Sequence, residues 1–125
     1  MRVLIDTDVI IRWLEDPKLI AEVPRNIIEN VKNEVLYSVA CLWEIGIKKK
    51  TGKLKIEDNY ESIIEEQSFR HLDITKNHMR QVNELDRYHR DPFDRIIIAQ
   101  AISENLSIIT SDDTFEKYPV NIIKA

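Results

Sequence analysis

Short apolar runs alternate with stretches of helical period along the chain, and acids, asparagines and prolines punctuate them. Arg2–Ile5 reads as a short buried strand stopped by Asp6. Val9–Leu14 reads as a helix ended by Asp16-Pro17, because a residue before proline is pushed out of the helical region. Pro24 suits the first turn of a helix running to about Val31, with Ile27, Ile28 and Val31 on one face. Val35–Ser38 is a second strand leading into a helix through Lys50, in which Leu42, Ile45 and Gly46 recur at helical spacing. Gly52 fits the C-terminal cap of that helix. Tyr60–Phe69 is expected to be helical, His71–Ile74 a short strand, and Thr75 the cap of a helix through Leu85. Asp91-Pro92-Phe93-Asp94 is a strong helix start: a capping acid, a proline in the first turn, and a second acid three residues after the cap. Leu106–Thr110 and Val120–Ile123 complete the strands. Strands alternating with helices predict an α/β fold, a central parallel sheet with helices on both faces.

Composition narrows the class. With 125 residues the chain fits one domain, 1–125, within the usual range of roughly 50–250 residues. Hydrophobic residues at 43% and charged ones at 32% exclude a disordered segment. The single cysteine, Cys41, has no internal partner, which argues for a reducing compartment and a packed, inert thiol. Apolar runs such as Ile96–Ala99 fall far short of the ~20 residues that cross a bilayer, and Arg2 with Asp6 at the start does not read as a secretory leader, so a cytoplasmic protein without a membrane partner is expected. The net charge of −4 argues against a blanket nucleic-acid-binding surface while leaving room for a local basic patch.

Four acids stand out by position. Asp6 follows the first strand and Asp112 follows Leu106–Thr110. Ligands of open parallel sheets bind at the carboxyl ends of strands where the strand order reverses, and two acids arriving there repel each other unless a cation lies between them. Glu44 sits among Leu42, Trp43, Ile45 and Ile47, and Asp94 opens a helix that continues through Ile96-Ile97-Ile98-Ala99. A charge in such a stretch costs several kcal/mol unless it is paired or bound to metal. Taken singly each acid has an ordinary reading as well: strand end, turn, or a helix-dipole partner.

Together the segments Leu4-Ile5-Asp6-Thr7, Ser38-Val39-Ala40-Cys41-Leu42-Trp43-Glu44-Ile45, Asp91-Pro92-Phe93-Asp94-Arg95 with Ala99-Gln100-Ala101, and Ile109-Thr110-Ser111-Asp112 resemble the PIN-domain ribonucleases, in particular the VapC-like toxins of type II toxin–antitoxin systems. The likeness runs end to end and includes the closing Tyr118-Pro119-Val120. It implies that the family's acidic quartet falls on Asp6, Glu44, Asp94 and Asp112, holding Mg²⁺ or Mn²⁺ for RNA hydrolysis. It places Thr7, Ser38 and Thr110 at small hydroxyl positions beside the acids. Asp8 departs from the family pattern, and Asp113 beside Asp112 leaves a one-residue ambiguity that distance from Thr110 resolves toward Asp112. An RNA substrate, a cognate antitoxin protein and a homodimer are further implications of the resemblance.

Lys48-Lys49-Lys50 with Lys53 and Lys55 form the one dense basic cluster, readable as helix C-terminal charge or as an RNA phosphate track. Arg87, His89, Arg90 and Arg95 flank Asp91 and Asp94, with Arg95 alternatively a structural ion-pair partner. The histidines 71, 78 and 89 lack zinc spacing, and Trp13 and Trp43 are expected in the core. Two other classes are weighed against the nuclease. A receiver-type signalling domain has similar length and acids, yet it needs an aspartate ending a middle strand and a lysine after a late one, which neither Val35–Ser38 nor Leu106–Thr110 supplies. A non-catalytic PIN-fold binding module would be favoured by loss of one of the four acids, and all are present.

Overall fold

The computed structural model describes residues 1–125. In chain order the elements are β1 (Arg2–Ile5), α1 (Thr7–Glu15), α2 (Glu22–Glu29), β2 (Glu34–Ser38), α3 (Val39–Lys50), α4 (Tyr60–Glu66), β3 (Arg70–Leu72), α5 (Lys76–Glu84), α6 (Pro92–Glu104), β4 (Ser107–Thr110) and β5 (Ile122–Lys124), with 3₁₀ turns at Pro17–Leu19 and Asp113–Lys117. All strand pairs are parallel and the order is β3-β2-β1-β4-β5. Val3 on β1 lies opposite Val35 on one side and Ser107 on the other. Successive strand residues point to opposite faces, so the complete burial of Val3, Leu4 and Ile5 means that both faces of β1 are covered by helices. Each fully buried isoleucine, such as Ile97, Ile98, Ile108 and Ile109, contributes on the order of 1.5–3 kcal/mol of apolar burial.

The chain leaves β1 toward β2 on one side and reaches β4 on the other, so the strand order reverses at β1. The crevice of an open parallel sheet opens at the carboxyl ends of such strands, and the segments following β1 and β4 start there. Helix ends set the local geometry. The Asp6 side chain accepts from Thr7 N at 2.8 Å, which starts α1 at Thr7, two residues before the expected Val9. Thr75 and His78 form a reciprocal capping box on α5. Helix α3 closes at Thr51 with Gly52 at φ 77°, a conformation open to glycine, while a Cβ on Gly46 would come within 3.0 Å of the Tyr60 hydroxyl.

Several expectations are displaced. Helix α2 stops at Glu29 because Asn30 turns the chain, its side chain accepting from Lys32 N and its carbonyl from Asn33 N; Val31 is therefore 93% exposed and not on the buried face. Helix α4 ends at Glu66, short of Phe69, β3 starts one residue before His71, and β5 begins at Ile122 where Val120 was expected. Trp43 is 63% exposed: the buried side of α3 is Ala40, Cys41, Glu44 and Ile45, and Trp43 lies on the opposite side, edge-on to Phe93 at 5.0 Å. Trp13 is half-buried, with its indole N–H donating to Gln67 Oε1 at 3.0 Å. Cys41 is fully buried, and burial pushes its thiol up to about 12. No helix is long and apolar enough to cross a membrane.

Candidate active site

Asp6 leaves the end of β1 almost fully buried, and both its oxygens are held: Oδ1 by Thr7 N at 2.8 Å and Oδ2 by the Thr110 hydroxyl at 2.7 Å. Thr110, the last residue of β4, also accepts from Asp112 N at 3.0 Å, so one hydroxyl links the segments that follow the two strands. Burial pushes the Asp6 carboxyl up to about 6 against these hydrogen bonds, with the Asp8 and Glu44 carboxylates adding to the rise.

Glu44 faces inward from α3 at 7% exposure. Its Oε1 accepts from the Thr7 hydroxyl at 2.6 Å and its Oε2 pairs with Lys48 Nζ at 3.0 Å, one helical turn on. Asp8, the residue that departs from the family pattern, has a side chain 59% exposed and reaches Lys48 only at 3.9 Å, on the rim. Asp113 also turns outward, onto Lys124.

Asp94 stands in the first turn of α6, three residues after its cap, where the helix dipole favours a negative charge. Its own carboxyl is nonetheless pushed up to about 8, first by burial and then by the carboxylates of Asp6, Asp91, Glu44 and Asp112. Among the four predicted acids, Asp94 Oδ1 is the oxygen without a donor, whereas Asp94 Oδ2 lies 3.1 Å from His89 Nε2. Asp112 caps the 3₁₀ turn, Oδ1 accepting from Thr114 N at 2.9 Å and Oδ2 lying 2.7 Å from the same His89 Nε2. Burial would raise this carboxyl, but the hydrogen bonds from His89 and Thr114 outweigh it and hold it below the usual range.

Asp94 and Asp112 come together around His89, while Asp6 and Glu44, both bonded to Thr7, lie near enough to add to the rise of the Asp94 carboxyl. Ser38 does not join them as a carboxylate partner; it caps α3, accepting from Ala40 N at 3.1 Å. The residue that sequence reasoning missed is His89. Its Nε2 and one oxygen each from Asp94 and Asp112 lie within 4.8 Å of one another. The only signal for it was its place in the loop entering α6 at the ligand-bearing edge of the sheet. Arg95 makes no ion pair here: its guanidinium donates to the carbonyls of Asp86, His89, Val82 and Leu85 at 3.0–3.3 Å, fastening that loop to α6. Of the basic cluster, Lys48 holds Glu44 and Lys49 holds Asp58, while Lys53 lines a shallow cleft of about 180 Å³ beside Glu44 and Phe93.

The donor chemistry fits a divalent cation. Oxygen ligands dominate, one carboxylate oxygen is free, and burial, with neighbouring carboxylates adding to it, lifts two of the acids well above their ordinary range. Such a group could hold a metal ion.

The fold has close counterparts among solved structures. The DNA-bound VapBC of Salmonella typhimurium superposes with a TM-score of 0.73 at 19% identity, over 99% of this chain and 98% of that one. VapBC-1 of nontypeable Haemophilus influenzae gives a TM-score of 0.71 at 18% identity, over 99% and 98%. VapBC-5 of Mycobacterium tuberculosis, a member of the VapBC family of toxin–antitoxin systems, gives 0.62 at 20% identity, over 99% and 98%. No curated protein matches the chain in sequence. The PIN domain family model matches residues 3–121, a span that takes in all of β1 but Arg2, every acid described above and the whole of β4, and the chain belongs to the PIN domain family.

Proposed function

We propose that this PIN domain is a metal-dependent endoribonuclease and the toxin of a type II toxin–antitoxin pair. The observation that carries the reading is that Asp6, Glu44 and Asp112, from three other segments, lie near enough to Asp94 to add to the effect of burial that lifts its carboxyl to about 8. Asp6 and Asp94 are the direct ligands for Mg²⁺ or Mn²⁺, with Glu44 and Asp112 completing the set. When bound, the ion lowers the pKa of a water and offsets charge developing on phosphoryl oxygens and leaving group.

The chain's own residues supply the rest. Thr110 and Thr7 hold the carboxylates of Asp6 and Glu44 in place through bonds of 2.7 and 2.6 Å before substrate arrives. Lys48 offsets part of the charge of Glu44. Lys50 and Lys53 present cations for the phosphates on either side of the cut, and the open edge of the crevice suits single-stranded or loop RNA. The similarity to VapBC complexes, the Salmonella one DNA-bound by its description, supports a cognate antitoxin as partner, and a homodimer belongs to the same reading.

Expression in a bacterial host tests this. Wild type alone should arrest growth with fragmentation of cellular RNA, and folded Asp6→Asn should do neither. Growth arrest by both proteins, or intact RNA during wild-type arrest, would count against the nuclease.

A further inference from the structure

His89 is held from every side. Its backbone N–H donates to the Tyr118 hydroxyl at 2.8 Å, and its carbonyl accepts from Arg95 at 3.2 Å. Its ring stands edge-on to buried Phe115 at 5.6 Å, and Nδ1 accepts from Asp91 N at 3.4 Å. The Tyr118 hydroxyl in turn donates to Asp86 O at 2.8 Å, so Tyr118 and Arg95 together clamp the loop at both ends. A histidine placed only for solubility would not be fastened in this way. With Nδ1 accepting, the ring proton sits on Nε2, the atom 2.7 Å from Asp112 Oδ2 and 3.1 Å from Asp94 Oδ2. That N–H makes its hydrogen bond to Asp112, while Asp94 Oδ2, arriving from a different element, touches the same nitrogen without hydrogen-bond geometry.

We propose that His89 is the positioning residue of the cation site: its Nε2–H anchors Asp112, its ring sets the place of Asp94 Oδ2 beside it, and Asp94 Oδ1 is left free to meet the metal. This rests on the reading of the crevice as a metal centre. Outer partners of this kind fix the orientation of ligating carboxylates, and removing one typically costs about 10–100-fold in metal affinity. The imidazole acts through the carboxylates and does not ligate the ion itself, since coordination at Nε2 would require moving the proton to Nδ1, where it would face the Asp91 N–H.

Two measurements on the purified protein test this. In metal-free protein, long-range ¹H–¹⁵N spectra of the His89 ring should show the Nε2–H tautomer; an Nδ1–H tautomer overturns the anchoring of Asp112 whatever the metal does. Calorimetric titration with Mn²⁺ should show affinity falling about 10–100-fold in His89→Ala and recovering in part in His89→Gln, whose amide restores a donor, with both variants folded by circular dichroism. Unchanged or tighter Mn²⁺ binding by His89→Ala overturns the positioning role. Pulsed EPR of bound Mn²⁺ should show no directly coordinated nitrogen; a directly bound imidazole overturns it in favour of ligation. A wild type that binds no Mn²⁺ while keeping the Nε2–H tautomer overturns the metal reading and the role together, but not the anchoring of Asp112.

Discussion

Replacing Asp94 with asparagine should stabilise the metal-free protein, and by an amount that grows with pH. In the folded chain the Asp94 carboxyl keeps its proton until about 8, first because it is buried and then because four other carboxylates surround it; unfolded, it returns to the ordinary 3.8. Between those two values unfolding releases a proton, so raising the pH favours the unfolded chain. Each pH unit is worth about 1.4 kcal/mol, which sets an upper limit on the order of 6 kcal/mol for a wholly enclosed group. The side chain retains 16% exposure and borders an open crevice, and solvent screening reduces the effect to about 2–3 kcal/mol. In EDTA, urea denaturation of wild type and Asp94→Asn should therefore give nearly equal stabilities at pH 4 and a separation that widens up to pH 8, then levels off. Asp6, unchanged in both proteins, adds the same smaller loss to each between 3.8 and about 6 and leaves their separation to Asp94. Saturating Mn²⁺ should reverse the order, because the ion binds the native wild type more tightly than the variant. Equal stabilities across the whole pH range, or a variant less stable than wild type at pH 8 in EDTA, would refute the burial and carboxylate crowding of Asp94 on which the metal reading stands.

Asp91→Ala should cost about 0.5–2 kcal/mol, because its side chain caps α6 by accepting from Phe93 N at 2.8 Å, while Mn²⁺ affinity measured by calorimetry stays nearly unchanged. Arg95→Lys should cost about 2 kcal/mol in urea denaturation, since one ammonium cannot serve the four carbonyls that the guanidinium reaches, and proteolysis within residues 85–91 should quicken. Mn²⁺ should raise the melting temperature of wild type and EDTA should remove that gain; a flat thermal-shift titration contradicts a cation site.

The parts of this structure that local chemistry dictates were legible in the sequence. Strands β1 and β4 are short apolar runs closely followed by acids, so Asp6 and Asp112 could be assigned to the sheet's ligand-bearing edge from residue order, while Asp94, legible as part of the Asp-Pro-Phe-Asp helix start, joined them only through the family resemblance. Glu44 was legible as a charge in an apolar stretch that needed a partner, and Thr7 and Lys48 are those partners. What was hidden depends on how helices rotate and how loops cross. Helix α3 is apolar around most of its circumference, which leaves its phase undefined by pattern, and Trp43 consequently falls outside the core. His89 and Arg95 sit within a loop and a helix start whose path is fixed by Tyr118, a residue 29 positions beyond His89. No periodicity reports such a contact.

The most direct test is cleavage of a structured RNA by purified protein with Mg²⁺ or Mn²⁺ and with EDTA, beside folded Asp6→Asn. Wild type should cut in single-stranded or loop regions only when the metal is present, and Asp6→Asn, which keeps the side-chain shape while losing one anionic ligand, should not cut. Undiminished cleavage by wild type in EDTA, or no cleavage of any RNA with either metal, would contradict a metal-dependent nuclease; equal cutting by the Asp6→Asn protein would place the activity outside this crevice.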